Sequence, residues 1–265
     1  MPQPDLGALL ELAVEAATAA GTVLMQGVGQ ARRTVETKSS STDMVTEMDR
    51  AAERVVVEAL RRHRPNDAIL AEEGADTSGT SNVRWVVDPL DGTTNYLYGR
   101  PEFAVSVAAE VDGRPAVGVV HDPSRAETFT AVAGMGSWLN DGPLHLPRPP
   151  ALAQALVGTG FNYDSDWRAE QARALVRILP LVRDIRRVGA AALDLCWVAA
   201  GRLDAFWEAG LHHWDWAGGA LVAAEAGAWV GDLHGGPPSR SMTMAGPVQL
   251  VEALRLLLAE EPCAG

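Results

Sequence analysis

Residues 85–95 read Trp-Val-Val-Asp-Pro-Leu-Asp-Gly-Thr-Thr-Asn. Three large apolar residues mark the end of a buried strand, and two carboxylates follow at once. Burying carboxylates at the end of a core strand is costly unless something pairs with them. Any fold for this chain must therefore end that strand at a polar cleft, or at a cation.

Two readings of the stretch stand side by side. In one it is a type I turn, with Pro89 in the second position and Asp91-Gly92 as ordinary turn material. In the other, Pro89 holds Asp88 extended and the turn brings Asp91 back towards it. The two carboxylates and the Leu90 carbonyl then converge on one point, and oxygen ligands of this kind suit a hard cation such as Mg²⁺. Gly92-Thr93-Thr94-Asn95 would open a short helix whose free N–H groups accept phosphate. A calcium loop starting at Asp91 is excluded, since Tyr96 falls where the sharp turn needs glycine and a strand, not a helix, precedes it.

Three further clusters carry candidate chemistry. Glu72-Glu73 ends the apolar strand 68–71, so Glu72 would meet Asp88 if the two strands are neighbours. Like charges that close disfavour joint ionisation unless a cation sits between them. His213-Trp214-Asp215-Trp216-Ala217-Gly218-Gly219 places Asp215 as a helix cap or a ligand, and its small residues allow a helix to approach a sheet edge closely. Thr46 and Asp49 have the spacing of a capping box; Asp49 needs an outside partner to do more.

The rest of the chain reads as mixed helices and strands in layers. Helices are expected at 5–26, capped by Asp5 and ended by Gly27 and Gly29, and at 46–63, stopped by Pro65. Residues 38–43 read as a loop. Strands follow at 68–71 and 84–88, then 103–111 and 115–121 around the hairpin signal Asp112-Gly113. A strand at 127–133 and a hairpin near Asn140-Asp141-Gly142 extend this sheet. Pro147, Pro149 and Pro150 mark the expected boundary between an N-terminal half (1–147) and a C-terminal half (148–265) of one compact unit. The second half alternates: extended at 155–161, helical at 167–179, a strand at 184–188, a helix at 190–200, a strand at 203–208, and helices at 213–226 and 247–258.

Composition narrows the function classes. Of 265 residues, 34 are acidic and 22 are Lys or Arg, giving a net charge of −12. This argues against nucleic acid as a partner, which usually requires a basic face. An acidic protein handling an anionic substrate needs local cations, and bound metal ions supply them. No uncharged apolar run reaches membrane-spanning length, and the acidic N-terminus does not read as a signal peptide. Cys196 and Cys263 lie far apart, so a reducing cytoplasm is the expected compartment.

Taken together the motifs resemble the inositol monophosphatase family, within the lithium-sensitive phosphatase superfamily. The resemblance rests on W-V-V-D-P-L-D-G-T-T-N followed by F-A-V-S-V, and on W-D-W-A-G-G-A with E-A-G behind it. A-E-E-G, K-S-S-S-T-D-M-V-T-E-M-D, V-G-A-A-A-L-D-L-C and D-A-F-W-E-A-G are similar too. It implies an α+β fold, the layered α-β-α-β-α sandwich shared with fructose-1,6-bisphosphatase, and a homodimer. Glu72, Asp88, Asp91, Asp215 and the Leu90 carbonyl would bind two or three Mg²⁺ ions, with Glu73 supporting them. Gly92 and Thr93 would bind phosphate, and Thr93 paired with Asp49 would orient the attacking water. Glu208 and the Ala191 backbone match contacts to inositol hydroxyls, and Lys38 matches a basic residue of a loop over the site.

The implied activity is hydrolysis of inositol 1-phosphate or a related small phosphorylated polyol, inhibited by lithium. Histidinol phosphate and 3′-phosphoadenosine 5′-phosphate are the alternative substrates, and an interaction protein that keeps the fold without catalysis is the alternative class. Ala190 stands where the family often has Ser or Thr, which weakens the substrate assignment more than the chemistry.

Overall fold

A computed structural model describes residues 3–28, 35–37 and 44–259, with the side chains of 35–37 and 44–46 not described. Lys38, Gly29, Cys263 and the expected loop at 38–43 lie outside the described residues. In chain order the elements are α1 (Leu6–Gly27), β1 (Val35–Thr37), β2 (Met44–Thr46), α2 (Glu47–His63), β3 (Ala68–Ala71), β4 (Val83–Asp91), α3 (Thr93–Leu97), β5 (Ala104–Val111) and β6 (Arg114–Asp122). Then come β7 (Glu127–Val132), β8 (Gly136–Leu139), β9 (Gly142–Pro143), β10 (Leu156–Thr159), α4 (Ser165–Ile178), β11 (Asp184–Arg186) and α5 (Ala191–Ala199). The chain ends with β12 (Ala205–Glu208), α6 (His213–Glu225), β13 (Trp229–Gly231), β14 (Thr243–Gly246) and α7 (Val248–Ala259).

These form five layers. α1 and α2 cover one face of a seven-stranded sheet ordered β3-β4-β5-β6-β7-β8-β9. α5 and α6 fill the space between its other face and a five-stranded sheet ordered β11-β10-β12-β14-β13. α4 and α7 pack together beyond that second sheet. The expected layered sandwich is the observed architecture.

Local chemistry explains the elements. Asp5 caps α1 by accepting from the amides of Gly7 (2.9 Å) and Ala8 (3.3 Å), which satisfies two otherwise orphaned donors. The alanines at 13, 16, 17 and 20 have no exposed surface, so the helix lies close against β5 and β6. By length and composition α1 is the one described helix able to cross a membrane, at mean hydropathy 1.5, despite Glu11 and Glu15; its buried face belongs to the core it shares with α2 and the first sheet. The helix ends at Gly27, as expected. This glycine is the last helical residue, and an added Cβ would overlap Met48 and lie 2.5 Å from the Tyr96 hydroxyl.

Hairpin turns form where Asp-Gly and Asn-Asp-Gly predicted them, with positive φ at Asp112 (52°), Gly113 (74°) and Asn140 (51°), the backbone twist that such turns need. The short strands β13 and β14 were not anticipated: Trp229–Gly231 and Thr243–Gly246 are too brief to show alternation.

Candidate functional site

The register of β3 and β4 places the first carboxylates. The strands run parallel with Ala71 opposite Val87, and the Glu72 amide donates to the Val87 carbonyl at 3.2 Å. Glu72 therefore stands beside Asp88. The turn reading of residues 88–91 is corrected: β4 continues through Pro89 to Asp91, and its pairing with β5 slips between Asp88 and Asp91. A bulge tolerates proline and re-aims side chains. Here it lets the Leu90 amide donate to Asp88 Oδ1 at 3.0 Å, and Asp88 and Asp91 both line one cavity.

Gly92 turns the chain into α3 with φ 92°. A Cβ there would lie 2.8 Å from the Glu102 carbonyl, so both conformation and space require glycine. Thr93 Oγ1 donates to the Leu90 carbonyl at 3.1 Å and stands 3.5 Å from Asp49 Oδ1. Asp49, on α2, is almost wholly buried.

The second half supplies the opposite wall. The amides of Ala191 (3.2 Å) and Ala192 (2.7 Å), which begin α5, donate to the two oxygens of Asp91. Asp215 lies in the first turn of α6, where its Oδ2 accepts from the His212 amide at 2.7 Å. It is thus a cap and a cavity-lining carboxylate together. α6 rests on the face of the first sheet rather than at its edge: a Cβ on Gly118 would lie 2.6 Å from the Gly218 carbonyl, and one on Gly219 would lie 2.8 Å from the Ala192 carbonyl.

Glu72, Asp88, Leu90, Asp91, Gly92, Thr93, Ala191, Glu208 and Asp215 line a single cavity of about 480 Å³. Asp49 and Glu73 do not line it. Asp49 lies behind Thr93, and the Glu73 amide is held by Glu53 Oε2 at 2.7 Å. Burial, followed by the charges of Glu72, Asp91 and Asp215, pushes Asp88 well above the usual carboxylate range. Burial likewise raises Asp91 to about 7, against the pull of the Ala192 and Ala191 amides. Asp215 rises through burial and the charges of Glu72 and Asp91. Glu208 is raised to about 8 by burial, opposed by Arg187, and its carboxyl is boxed in by Gly160, where a Cβ would lie about 2 Å from it.

This donor set suits a divalent cation. It consists of oxygens alone, which hard cations prefer, and it concentrates like charges whose joint ionisation a cation would relieve. Among the described residues no three His, Cys, Asp or Glu side chains already close on one point. Asp88, Asp91 and Asp215 accept from backbone amides, and each carboxylate keeps further lone pairs that could hold a cation.

Sequence reasoning missed several groups. Glu53 buttresses the Glu72-Glu73 turn, and the i,i+4 spacing from Asp49 would have revealed their common helix face. Arg187, two residues before Gly189, lines the cavity together with Asn162, Tyr163 and Arg240. No local pattern announced them. Asp194 is fully buried with neither oxygen hydrogen-bonded among the described residues, and burial holds it far above the usual range.

A sequence profile of the inositol monophosphatase family matches residues 5–260. The chain is 48% identical over 205 residues to an inositol-1-monophosphatase SuhB of Mycobacterium tuberculosis, covering 74% of this chain and 71% of that one. It is 44% identical over 237 residues to a Nus factor SuhB of Pseudomonas aeruginosa, covering 86% of each. Among solved structures, the extragenic suppressor protein SuhB of Bartonella henselae superposes with a TM-score of 0.91 at 36% identity, covering 96% of this chain and all of that one.

Proposed function

The chain belongs to the inositol monophosphatase family, and from that footing we propose that it hydrolyses a small phosphate monoester, inositol 1-phosphate foremost, with Mg²⁺ as cofactor. The observation that carries the proposal is the convergence of Glu72, Asp88, Asp91 and Asp215 on one cavity beside Gly92 and Thr93. Four carboxylates gathered without a cationic ligand would repel the phosphate dianion they are meant to receive.

Two or three Mg²⁺ ions, held by Glu72, Asp88, the Leu90 carbonyl, Asp91 and Asp215, would neutralise phosphoryl charge and acidify water. The chain's own groups do the rest. Gly92 and Thr93 begin a helical turn, so their amides have no partner within it and can receive phosphate oxygens. Thr93, paired with Asp49, would help to orient the attacking water. Glu73, its amide held by Glu53, would support the metal ions from beside Glu72. Glu208 and the Ala191 backbone meet the substrate hydroxyls. Cys196 is buried inside α5 and does not line the cavity, so direct attack by water without a phosphoenzyme is the proposed route, in a reducing cytoplasm.

Parallel assays on inositol 1-phosphate, histidinol phosphate and 3′-phosphoadenosine 5′-phosphate, with and without Mg²⁺ and Li⁺, test this. Inositol 1-phosphate should be preferred, with activity lost on chelation and reduced by lithium. Trapping a phosphorylated protein would overturn the direct-attack mechanism. The likeness to relatives named Nus factor makes a binding role the second reading; it gains ground if no monoester is hydrolysed. A homodimer is proposed from the family resemblance, and sedimentation would test it.

A further inference from the structure

Glu110 lies on β5 outside the cavity, with 4% of its surface exposed. It stands opposite Arg84 in the β4–β5 register, and Arg84 Nε donates to its Oε2 at 2.8 Å. Its other oxygen, Oε1, is 2.8 Å from His213 Nε2, at ion-pair distance though off the axis of a good hydrogen bond. His213 is the first residue of α6, and its ring stacks on Trp216 with centroids 4.4 Å apart and planes 11° from parallel. Burial pushes the Glu110 carboxyl up, but His213 and Arg84 together hold it below the usual range.

Two connections run from this carboxylate to the site. Arg84 is on β4, the strand that carries Asp88 and Asp91. His213 immediately follows His212, whose amide binds Asp215 Oδ2 at 2.7 Å. The side chain of Asp215 is therefore tied to the backbone at the start of α6 and moves with it. The Gly118–Gly218 contact seats the same helix on β6 further along its length, so at its start the contact with Glu110 is a separate one. We propose that Glu110 is a positioning residue for Asp215: by gripping His213 it registers the start of α6 to β4, so that Asp215 meets the cation site formed by Asp88 and Asp91. This rests on the divalent-cation reading of the cavity. An ion pair with a half-exposed arginine adds little net stability, so the value of this contact lies in placement.

The test uses the full chain freed of divalent ions. Mg²⁺ affinity is measured by calorimetry and by the Mg²⁺-induced rise in Tm for wild type, Glu110→Gln, His213→Phe (which keeps a ring against Trp216) and the double variant. Loss of an outer partner of a metal ligand costs about 10- to 100-fold in metal affinity. Each single variant should show a loss in that range, the double variant no more than either single one, and substrate KM at saturating Mg²⁺ should be unchanged. Glu127→Gln, which breaks the distant pair with Arg202, should leave Mg²⁺ affinity as in wild type. Wild-type Mg²⁺ affinity in both single variants, whatever their Tm, overturns the proposal; should Glu110→Gln fail to fold, His213→Phe decides alone. A wild-type protein that takes up no Mg²⁺ removes the cation reading and this proposal together.

Discussion

Asp91 and Ala192 lie 101 residues apart in sequence, yet the Ala192 amide donates to Asp91 Oδ2 at 2.7 Å. This bond joins the bulged end of β4 to the start of α5. It holds a carboxylate of the first sheet in place with donors from the second half of the chain. Replacing Asp91 with Asn keeps the shape but removes the charge and one acceptor facing two amides. Steady-state assays should show kcat/KM reduced by more than about 100-fold, the upper end expected for disturbing a metal ligand's surroundings. Retained activity in Asp91→Asn would exclude Asp91 from the cation site.

Metal-free stability should fall as pH rises. Asp91 at about 7 and Glu208 at about 8 are raised above their ordinary values of 3.8 and 4.5. The folded state therefore binds more protons than the unfolded state between those values, and stability declines with pH across that window. Thermal melts from pH 5 to pH 9 in chelator should show a falling Tm. Mg²⁺ should flatten the decline by stabilising the ionised carboxylates. A Tm that rises across this range in chelator would contradict the assignment.

Gly118→Ala should loosen the seat of α6. The added methyl would sit 2.6 Å from the Gly218 carbonyl, and overpacking of this kind costs about 1–3 kcal/mol. Denaturant titration should find that loss, accompanied by a higher Mg²⁺ requirement because Asp215 travels with the helix. Unchanged stability would mean that the two backbones separate freely.

Glu208→Gln probes recognition rather than chemistry. Above about pH 8, where Glu208 is ionised, a hydrogen bond to its charge is worth about 1.5–3 kcal/mol, so KM for inositol 1-phosphate should there rise by about 10-fold or more. KM for p-nitrophenyl phosphate, which lacks the polyol hydroxyls, should hardly move. Equal changes for both substrates would place Glu208 in the general architecture of the cavity instead.

Asp5→Ala isolates the fold from the site. Losing the two cap bonds of α1 should lower stability by about 1 kcal/mol and leave kcat/KM unchanged. A matching loss of activity would show that α1 is coupled to the cavity.

Much of this protein was legible from its residues because the determining interactions are local. Asp5 before an alanine-rich period of 3.6 specifies α1, Asp112-Gly113 specifies its hairpin, and Gly92 specifies the break after Asp91. Each acts within a few residues, where side-chain size and backbone preference decide the outcome. The carboxylates stood out for the same reason, since charge at the end of an apolar strand is conspicuous wherever the strand goes.

The tertiary structure alone decided how those carboxylates meet. Whether Pro89 makes a turn or a bulge depends on β5, whose hydrogen bonds keep residues 88–91 in the sheet. That Asp91 faces the amides of α5, that Glu53 braces Glu73 and that Glu110 reaches His213 depend on contacts across many residues of chain. No local propensity encodes these, because their free energy arises only when separate elements pack and exclude water. The sequence by itself determined that Asp88 and Asp91 must end a buried strand in need of a counter-charge. Packing determined that Glu72 and Asp215 share that need, in one cavity.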